Sequence, residues 1–164
     1  MERKIIVFSD SHGSTSNLQK IFSLHRDADA FIHLGDGASE FSRLCRLFDK
    51  VGYSVLGNCD MGFSCPGAQS PYAVYNIGGC GFFMTHGHLY GVKNGREGLV
   101  SFVRERFPDT DIILYGHTHA RYESYKDGIY IMNPGSCGRP RSGGPSYGII
   151  DITEAGIAMH TVEI

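Results

Sequence analysis

Ile5-Ile6-Val7-Phe8-Ser9-Asp10-Ser11-His12-Gly13 joins a short apolar run to a polar segment that closes on glycine. Four consecutive apolar residues, three of them β-branched, suit a strand covered on both faces. The polar tail carries a carboxylate and an imidazole two residues apart. The same arrangement recurs four times. Ala30-Phe31-Ile32-His33-Leu34 runs into Gly35-Asp36-Gly37, and Tyr53-Ser54-Val55-Leu56 into Gly57-Asn58-Cys59-Asp60. Gly81-Phe82-Phe83-Met84 runs into Thr85-His86-Gly87-His88, and Asp111-Ile112-Ile113-Leu114-Tyr115 into Gly116-His117-Thr118-His119.

Helical patterns lie between some of these runs. Asn17 to His25 puts Leu18, Ile21, Phe22 and His25 on one face, after the capping candidates Ser14 and Ser16. Glu40 to Phe48 does so with Phe41, Leu44, Cys45 and Phe48, and Glu97 to Phe107 with Leu99, Val100, Val103 and Phe107 before Pro108. Strand and helix alternate as in parallel βαβ units. The last third reads as strands alone: Arg121–Lys126, Ile129–Met132, Tyr147–Ile152 and Ile157–Val162, separated by Asp127-Gly128, Asn133-Pro134-Gly135 and Glu154-Ala155-Gly156. A mostly antiparallel meander is expected there. No linker, repeat or low-complexity tract interrupts the chain, which predicts a single α/β domain over residues 1–164.

Open α/β sheets bind ligands beyond the carboxyl ends of their strands, so the five polar tails are expected at one edge of one sheet. On extended strand ends, Asp10-x-His12 and His117-x-His119 would each aim both side chains into one pocket. Seven groups result: Asp10, His12, Asp36, Asn58, His86, His117 and His119. They exceed the needs of one tetrahedral ion and suit a pair of ions sharing a carboxylate. Oxygen and imidazole donors without thiolate favour Mn, Fe, Ni, Co or Zn. His25, His33 and His160 have no partner motif and read as hydrogen-bonded structural residues.

Composition narrows the classes. The 164 residues are 41% hydrophobic and 20% charged, a globular balance with enough chain for a core. Fifteen Lys and Arg against 17 Asp and Glu give a net charge of -2, so nucleic acid is not expected as the main partner. The five cysteines are odd in number and lack Cys-x-x-Cys spacing, against a disulfide framework or a thiolate zinc site. No apolar stretch reaches membrane length, and the N-terminal run is too short for a signal core. A cytoplasmic protein with no membrane partner is expected.

The ordered set Asp-x-His, Gly-Asp, Gly-Asn, His-Gly-His and Gly-His-Thr-His resembles the calcineurin-like metallophosphoesterase superfamily, over essentially the whole chain. Ser9-Asp10-Ser11-His12-Gly13, Gly57-Asn58-Cys59-Asp60, Thr85-His86-Gly87-His88 and Asn133-Pro134-Gly135-Ser136 resemble its small bacterial and archaeal YfcE-type phosphodiesterases. The resemblance implies a four-layer α/β/β/α sandwich of two mixed sheets. It implies two divalent metal ions, Mn first, with Ni, Co, Fe or Zn as alternatives. Asp10, His12, Asp36 and His119 would hold one, and Asp36, Asn58, His86 and His117 the other. A hydroxide bridging the ions would then hydrolyse a small-molecule phosphodiester. Asp36 and Asn58 are candidate catalytic residues, and so is His88, two residues from His86 on a segment expected to be extended.

Asn58, His88, Cys59 and Arg139 are the candidate phosphate contacts. Arg139 lies in the glycine-rich loop from Gly135 to Gly144, and guanidinium suits bidentate phosphate binding. Asn133 to Ser136 is expected to shape the floor of the site. Many superfamily members carry a His after the Asn, where this chain has Cys59, as the YfcE-type group does. A thiol with a reference pKa of about 8.5 is a weak replacement for an imidazole acid, so diesters with good leaving groups are expected to be favoured. The alternatives are a noncatalytic protein-binding scaffold of the same fold, such as the retromer subunit, a phosphomonoesterase, or a nuclease.

Overall fold

The computed structural model describes residues 2–60 and 70–164. The elements run β1 (Arg3–Phe8), α1 (Thr15–Leu24), β2 (Ala30–His33), α2 (Ala38–Phe48), β3 (Gly52–Ser54), β4 (Tyr72–Ile77), β5 (Cys80–Thr85), α3 (Glu97–Arg106), β6 (Ile112–Leu114), β7 (Arg121–Lys126), β8 (Ile129–Pro134), β9 (Ser146–Thr153) and β10 (Gly156–Glu163). A short 3-10 helix, His88–Tyr90, comes after β5. Each of the five apolar runs contributes to a strand, although Val55 and Leu56 lie beyond the end of β3, and the three helical patterns are α1, α2 and α3. β4 has no counterpart among the sequence expectations. It is an edge strand whose alternation is diluted by Asn76 and by half-buried tyrosines, and the Gly78-Gly79 turn pairs it with β5.

Two mixed five-stranded sheets result, in the orders β10-β9-β1-β2-β3 and β4-β5-β6-β8-β7. The period-2 alternation of side chains divides the core into layers. Ile5, Val7, Ile32, Phe82, Met84, Ile112, Leu114, Ile150 and Ile152 pack between the sheets. Ile6, Phe8, Phe31 and Ile149 point the other way, against Leu18, Ile21 and Phe22 of α1 and Phe41 and Leu44 of α2. Phe83, Ile113, Ile129 and Ile131 pack against Leu99 and Val103 of α3. The architecture is therefore a four-layer α/β/β/α sandwich. Each such buried side chain stabilises the fold by about 1.5–3 kcal/mol relative to exposure. Phe22 and Phe31 stack with centroids 4.1 Å apart, fixing α1 on β2.

The expected meander is corrected. The hairpins β7–β8 and β9–β10 are antiparallel, but they belong to different sheets, and β8 runs parallel to β6. The cause is visible in the side chains. β8 buries Ile129 and Ile131 on one face and Met132 on the other, while β9 buries Ile149 on one face and Ile150 on the other. Each needs cover on both sides, and each takes an interior place in its own sheet. Residues 135–145 carry the chain across from one sheet to the other.

Candidate metal centre

The five polar tails meet at a shared rim of two sheets rather than at one edge of one sheet. Asp10 and His12 lie beyond β1, Asp36 beyond β2 and Asn58 beyond β3, all of the first sheet. His86 lies beyond β5, and His117 and His119 beyond β6, in the second sheet. Nor are the tails extended. Asp10, His12, Asp36, His117 and His119 have φ of 54°, 43°, 59°, 67° and 57°. The left-handed region disfavours a Cβ, and residues held there cluster where surrounding contacts over-determine them. The chain turns sharply after β1, β2 and β6, and those turns aim the side chains inward.

Asp10 and His86 are fully buried and Asp36 nearly so, while His12 and His119 are partly exposed above them. Asp10 Oδ1 lies 3.1 Å from His119 Nε2 and 3.9 Å from both His12 Nε2 and His86 Nε2. Asp36 Oδ2 lies 3.7 Å from His12 Nε2 and 3.4 Å from His86 Nε2. His12 Nε2 is 3.2 Å from His119 Nε2, and His86 Nε2 is 3.1 Å from Asn58 Oδ1. Candidate ligand atoms of Asp10, His12 and His119 lie within 4.8 Å of one another, and so do those of Asp10, Asp36 and His86. A third such group is His12, Asp36 and Cys59.

The outer hydrogen bonds set what these atoms can do. His86 Nδ1–H donates to the Leu34 carbonyl at 2.7 Å, and His119 Nδ1–H to the Arg139 carbonyl at 2.6 Å. A carbonyl only accepts, so both rings present a bare Nε2 to the centre when neutral. Asp10 Oδ2 accepts from Ser9 Oγ–H and from the His117 N–H, and Asp36 Oδ1 accepts from the Cys59 N–H at 2.7 Å. Asp10 Oδ1 is left buried with no hydrogen-bond donor. Lone pairs and carboxylate charge thus converge on one volume, an arrangement that favours positive charge there. The titration directions agree. Burial pushes the Asp10 and Asp36 carboxyls up, but His119 and His86 at Asp10, and His86 at Asp36, outweigh it and hold both below the usual range. Burial pushes His86 down, yet Asp36 and Asp10 raise it, and Asp10 raises His119. The donor set fits hard or borderline divalent cations.

Glycines leave the room this requires. A Cβ on Gly57 would collide with Asp36 Oδ1, and one on Gly116 with Ser9 Oγ.

The remaining candidates sit around this core. His117 packs its ring 5.0 Å from that of His86, and burial, His86 and Lys93 push its pKa down to about 4. His88 opens the 3-10 helix instead of lying on an extended segment, with its ring 5.4 Å from His86 and a buried Nδ1 that has no partner. Cys59 is exposed, and burial of its sulfur together with Asp36 raises its pKa, so it stays a thiol. Arg139 lines the rim beside His12, Asp36 and Cys59. Asn133 donates to the Gly116 carbonyl and Thr118 Oγ1 and accepts from the Gly135 N–H, which ties the end of β8 to the segment bearing His117 and His119.

Three histidines follow the structural reading or lie apart: His33 is buried against Phe41, His25 bonds the Tyr147 hydroxyl, and His160 is on β10. Tyr72 and Tyr90 pack with α3, and Phe63 and Cys65 lie outside the described residues. Cys45, Cys59, Cys80 and Cys137 are unpaired, and no helix among the described residues is long and apolar enough to cross a membrane.

Asp60 has no place among the sequence candidates, yet it organises the Asp36 loop. Its Oδ2 accepts from the Asp36 and Gly57 N–H groups, and its Oδ1 from those of Gly37 and Ala38. This is a cap supplied to α2 from another loop, since Gly37 at its N-cap has no side chain to do so. The only sequence signal is that missing local cap.

Comparison with known proteins agrees with this geometry. Residues 3–155 match the model of the calcineurin-like phosphoesterase superfamily domain. The probable metallophosphoesterase YsnB of Bacillus subtilis is 32% identical over 84% of this chain and 76% of its own. Phosphodiesterase YfcE of Escherichia coli is 28% identical over 90% of this chain and 87% of its own. A predicted phosphoesterase from Streptococcus pneumoniae superposes with a TM-score of 0.80 at 27% identity, covering 99% of this chain and 90% of that one. Vacuolar protein sorting 29 from Cryptosporidium parvum shares the fold, with a TM-score of 0.78 at 20% identity and 99% coverage of both chains.

Proposed function

The chain belongs to the calcineurin-like phosphoesterase superfamily, and on that premise we propose that it is a phosphodiesterase working with two divalent cations. The observation that carries the reading is the place of Asp36. Its Oδ2 stands between His12 Nε2, 3.7 Å away, and His86 Nε2, 3.4 Å away, so one carboxylate serves two ligand groups. Asp10, His12, Asp36 and His119 would hold one cation, and Asp36, Asn58, His86 and His117 the other. When bound, such a pair neutralises phosphoryl oxygens and acidifies a water for in-line attack. Mn is the first choice of metal, with Ni, Co, Fe or Zn able to use the same donors.

The chain's own groups do the rest. The Leu34 and Arg139 carbonyls fix the rings of His86 and His119 with Nε2 inward. The Cys59 N–H holds Asp36 in its shared position. His88 is neutral near pH 7, because burial and His86 push its pKa down, and its ring stands 5.4 Å from that of His86, beside the ester. Asn58 and Arg139 stand at the rim to orient the ester. Cys59 carries a thiol whose pKa is raised, so it donates a proton poorly to a departing alkoxide. Small-molecule diesters whose leaving groups depart without protonation are therefore preferred. Replacing Cys59 by His should extend turnover toward basic leaving groups.

The test is hydrolysis of bis(p-nitrophenyl) phosphate and p-nitrophenyl phosphate by chelated protein reloaded with Mn²⁺, with Asp36→Ala as control. Diester turnover that needs both metal and Asp36, with much slower monoester turnover, is expected. Preferred monoester cleavage would make the protein a phosphomonoesterase. No turnover with Mn²⁺, Ni²⁺, Co²⁺ or Zn²⁺ would move the protein to a binding role on the same fold.

A further inference from the structure

Two cavities flank the candidate metal centre and meet at Arg139. One, of about 340 Å³, is lined by His12, Asp36, Glu40, Cys59, Asp60 and Arg139 among others. Its three carboxylates, Asp36, Glu40 and Asp60, outnumber its one permanent cation, Arg139. The other, of about 300 Å³, is lined by Lys93, His117, Thr118, His119, Arg139, Pro140 and Arg141. It has three permanent cations and no carboxylate. Its walls come from separate parts of the chain: the turn before α3, the tail of β6, and the loop that crosses between the sheets. The Arg141 N–H donates to the His119 carbonyl, which ties that loop to the ligand segment.

Among the described residues the three cations have no counter-ion. What sets them apart from other cations without an ion pair is that all three line one cleft whose lining holds no carboxylate. Among the described residues no carboxylate pairs with Lys93, Arg139 or Arg141. Residues 61–69, outside the described set, contain no charged side chain in the sequence and so bring no counter-ion. Like charges lining one cleft repel each other, and a complementary anion relieves that repulsion.

Resting on the phosphodiesterase reading, we propose that the Lys93–Arg139–Arg141 cleft binds a second anionic group carried on one arm of the diester. The substrate class is then a phosphodiester with one anionic arm, bearing a carboxylate or a further phosphate, and one uncharged arm. The second arm lies toward the Glu40 cavity, where an anion would be repelled. Specificity arises from the cleft, while the metal ligands address only the phosphodiester common to all substrates.

The experiment compares two esters that release the same 4-nitrophenolate: 4-carboxyphenyl 4-nitrophenyl phosphate and phenyl 4-nitrophenyl phosphate. On Mn²⁺-loaded protein at low ionic strength, the carboxylate ester should show a KM lower by about tenfold, since exposed ion pairs are individually weak. Added salt should erode the preference. The KM ratio should fall toward one in Lys93→Gln and invert in Lys93→Glu. Calorimetric binding of 4-carboxyphenyl phosphate against phenyl phosphate should give the same ratios without turnover. Turnover of both esters with equal KM would overturn the anionic cleft and leave the diesterase reading standing. A preference that survives both Lys93 variants would overturn it as well. If neither ester were cleaved, the diesterase reading would fail, and the calorimetric ratio would decide the cleft on its own.

Discussion

The two sheets bring different chemistry to the rim. The first contributes two carboxylates, an amide and one imidazole, from Asp10, Asp36, Asn58 and His12. The second contributes imidazoles alone, from His86, His88, His117 and His119. Their supports differ accordingly. The carboxylates are held by donors, the Cys59 and His117 N–H groups and the Ser9 hydroxyl, and the imidazoles by the Leu34 and Arg139 carbonyls. Some supports also cross between sheets. Leu34 lies beyond β2 yet orients His86, and the His117 N–H lies beyond β6 yet holds Asp10. The centre is thus a product of sandwich packing, and neither sheet can form it alone.

The largest test of this contrast sets Asp36→Ala against His117→Ala. Asp36 reaches ligand atoms of both groups, whereas His117 stands beside His86 outside the tight clusters. Asp36→Ala should cost more than the ~100-fold that marks loss of an outer partner of a metal ligand. His117→Ala should cost less than Asp36→Ala and respond to raised metal concentration. Equal losses, measured as kcat/KM at saturating Mn²⁺, would mean that Asp36 is not shared.

Next in size are the two glycines. In Gly57→Ala the new methyl collides with Asp36 Oδ1, and in Gly116→Ala with Ser9 Oγ, which holds Asp10. The methyl of Gly57→Ala also meets the Asp36 backbone N, so the whole Asp36 loop must shift; misplacement of a catalytic group by about 1 Å can cost ~10² in rate, and Gly57→Ala should lose at least that much. Gly116→Ala acts through Ser9 and should cost less than Gly57→Ala, and less again when Ser9→Ala is already present. Failure of Ser9→Ala to relieve Gly116→Ala would show that the clash lies elsewhere.

Much of the fold and the centre is legible in the sequence because the chemistry sits in contiguous strand-end segments. A run such as Ile5–Phe8 announces a strand, and Ser9-Asp10-Ser11-His12 announces the chemistry at its end. The conformation of the strand end is not legible. Alternation predicts extended tails, whereas Asp10, His12, Asp36, His117 and His119 all take positive φ. Nothing local marks that, since tertiary contacts impose it. The division of the last four strands between sheets is equally hidden. A hairpin pattern gives the partner within the hairpin and is silent about the sheet it joins. Asp60 shows the same limit, because it caps α2 from 22 residues away.

A smaller effect tests the floor that joins the halves. Asn133 binds the Gly116 carbonyl and Thr118 Oγ1, and through them the segment bearing His117 and His119. Asn133→Ala leaves those groups with one partner fewer and should destabilise the protein by about 1–3 kcal/mol. Activity should fall by roughly tenfold, through metal affinity more than through kcat. A variant with weakened stability and unchanged metal affinity would confine Asn133 to a structural role.

The smallest effect lies wholly on the first sheet. His33 Nδ1 accepts the Gly35 N–H, so its Nε2–H faces Ser11 Oγ, and burial pushes its pKa down to about 4. The unfolded chain protonates this ring near 6.5, while the folded chain resists until about 4. Between those values the unfolded state binds more protons, so stability falls as pH falls. From pH 7 to 5.5 the contribution is about 1 kcal/mol. His86 and His119, whose pKa values are raised, act in the opposite sense over the same range. The measurable quantity is therefore the difference between wild type and His33→Asn, which keeps an acceptor for the Gly35 N–H. Urea unfolding in chelator should show wild type losing about 1 kcal/mol more than the variant on acidification. Equal losses would mean that His33 is protonated in the folded state, and that the first sheet holds the Asp36 loop with a charged ring.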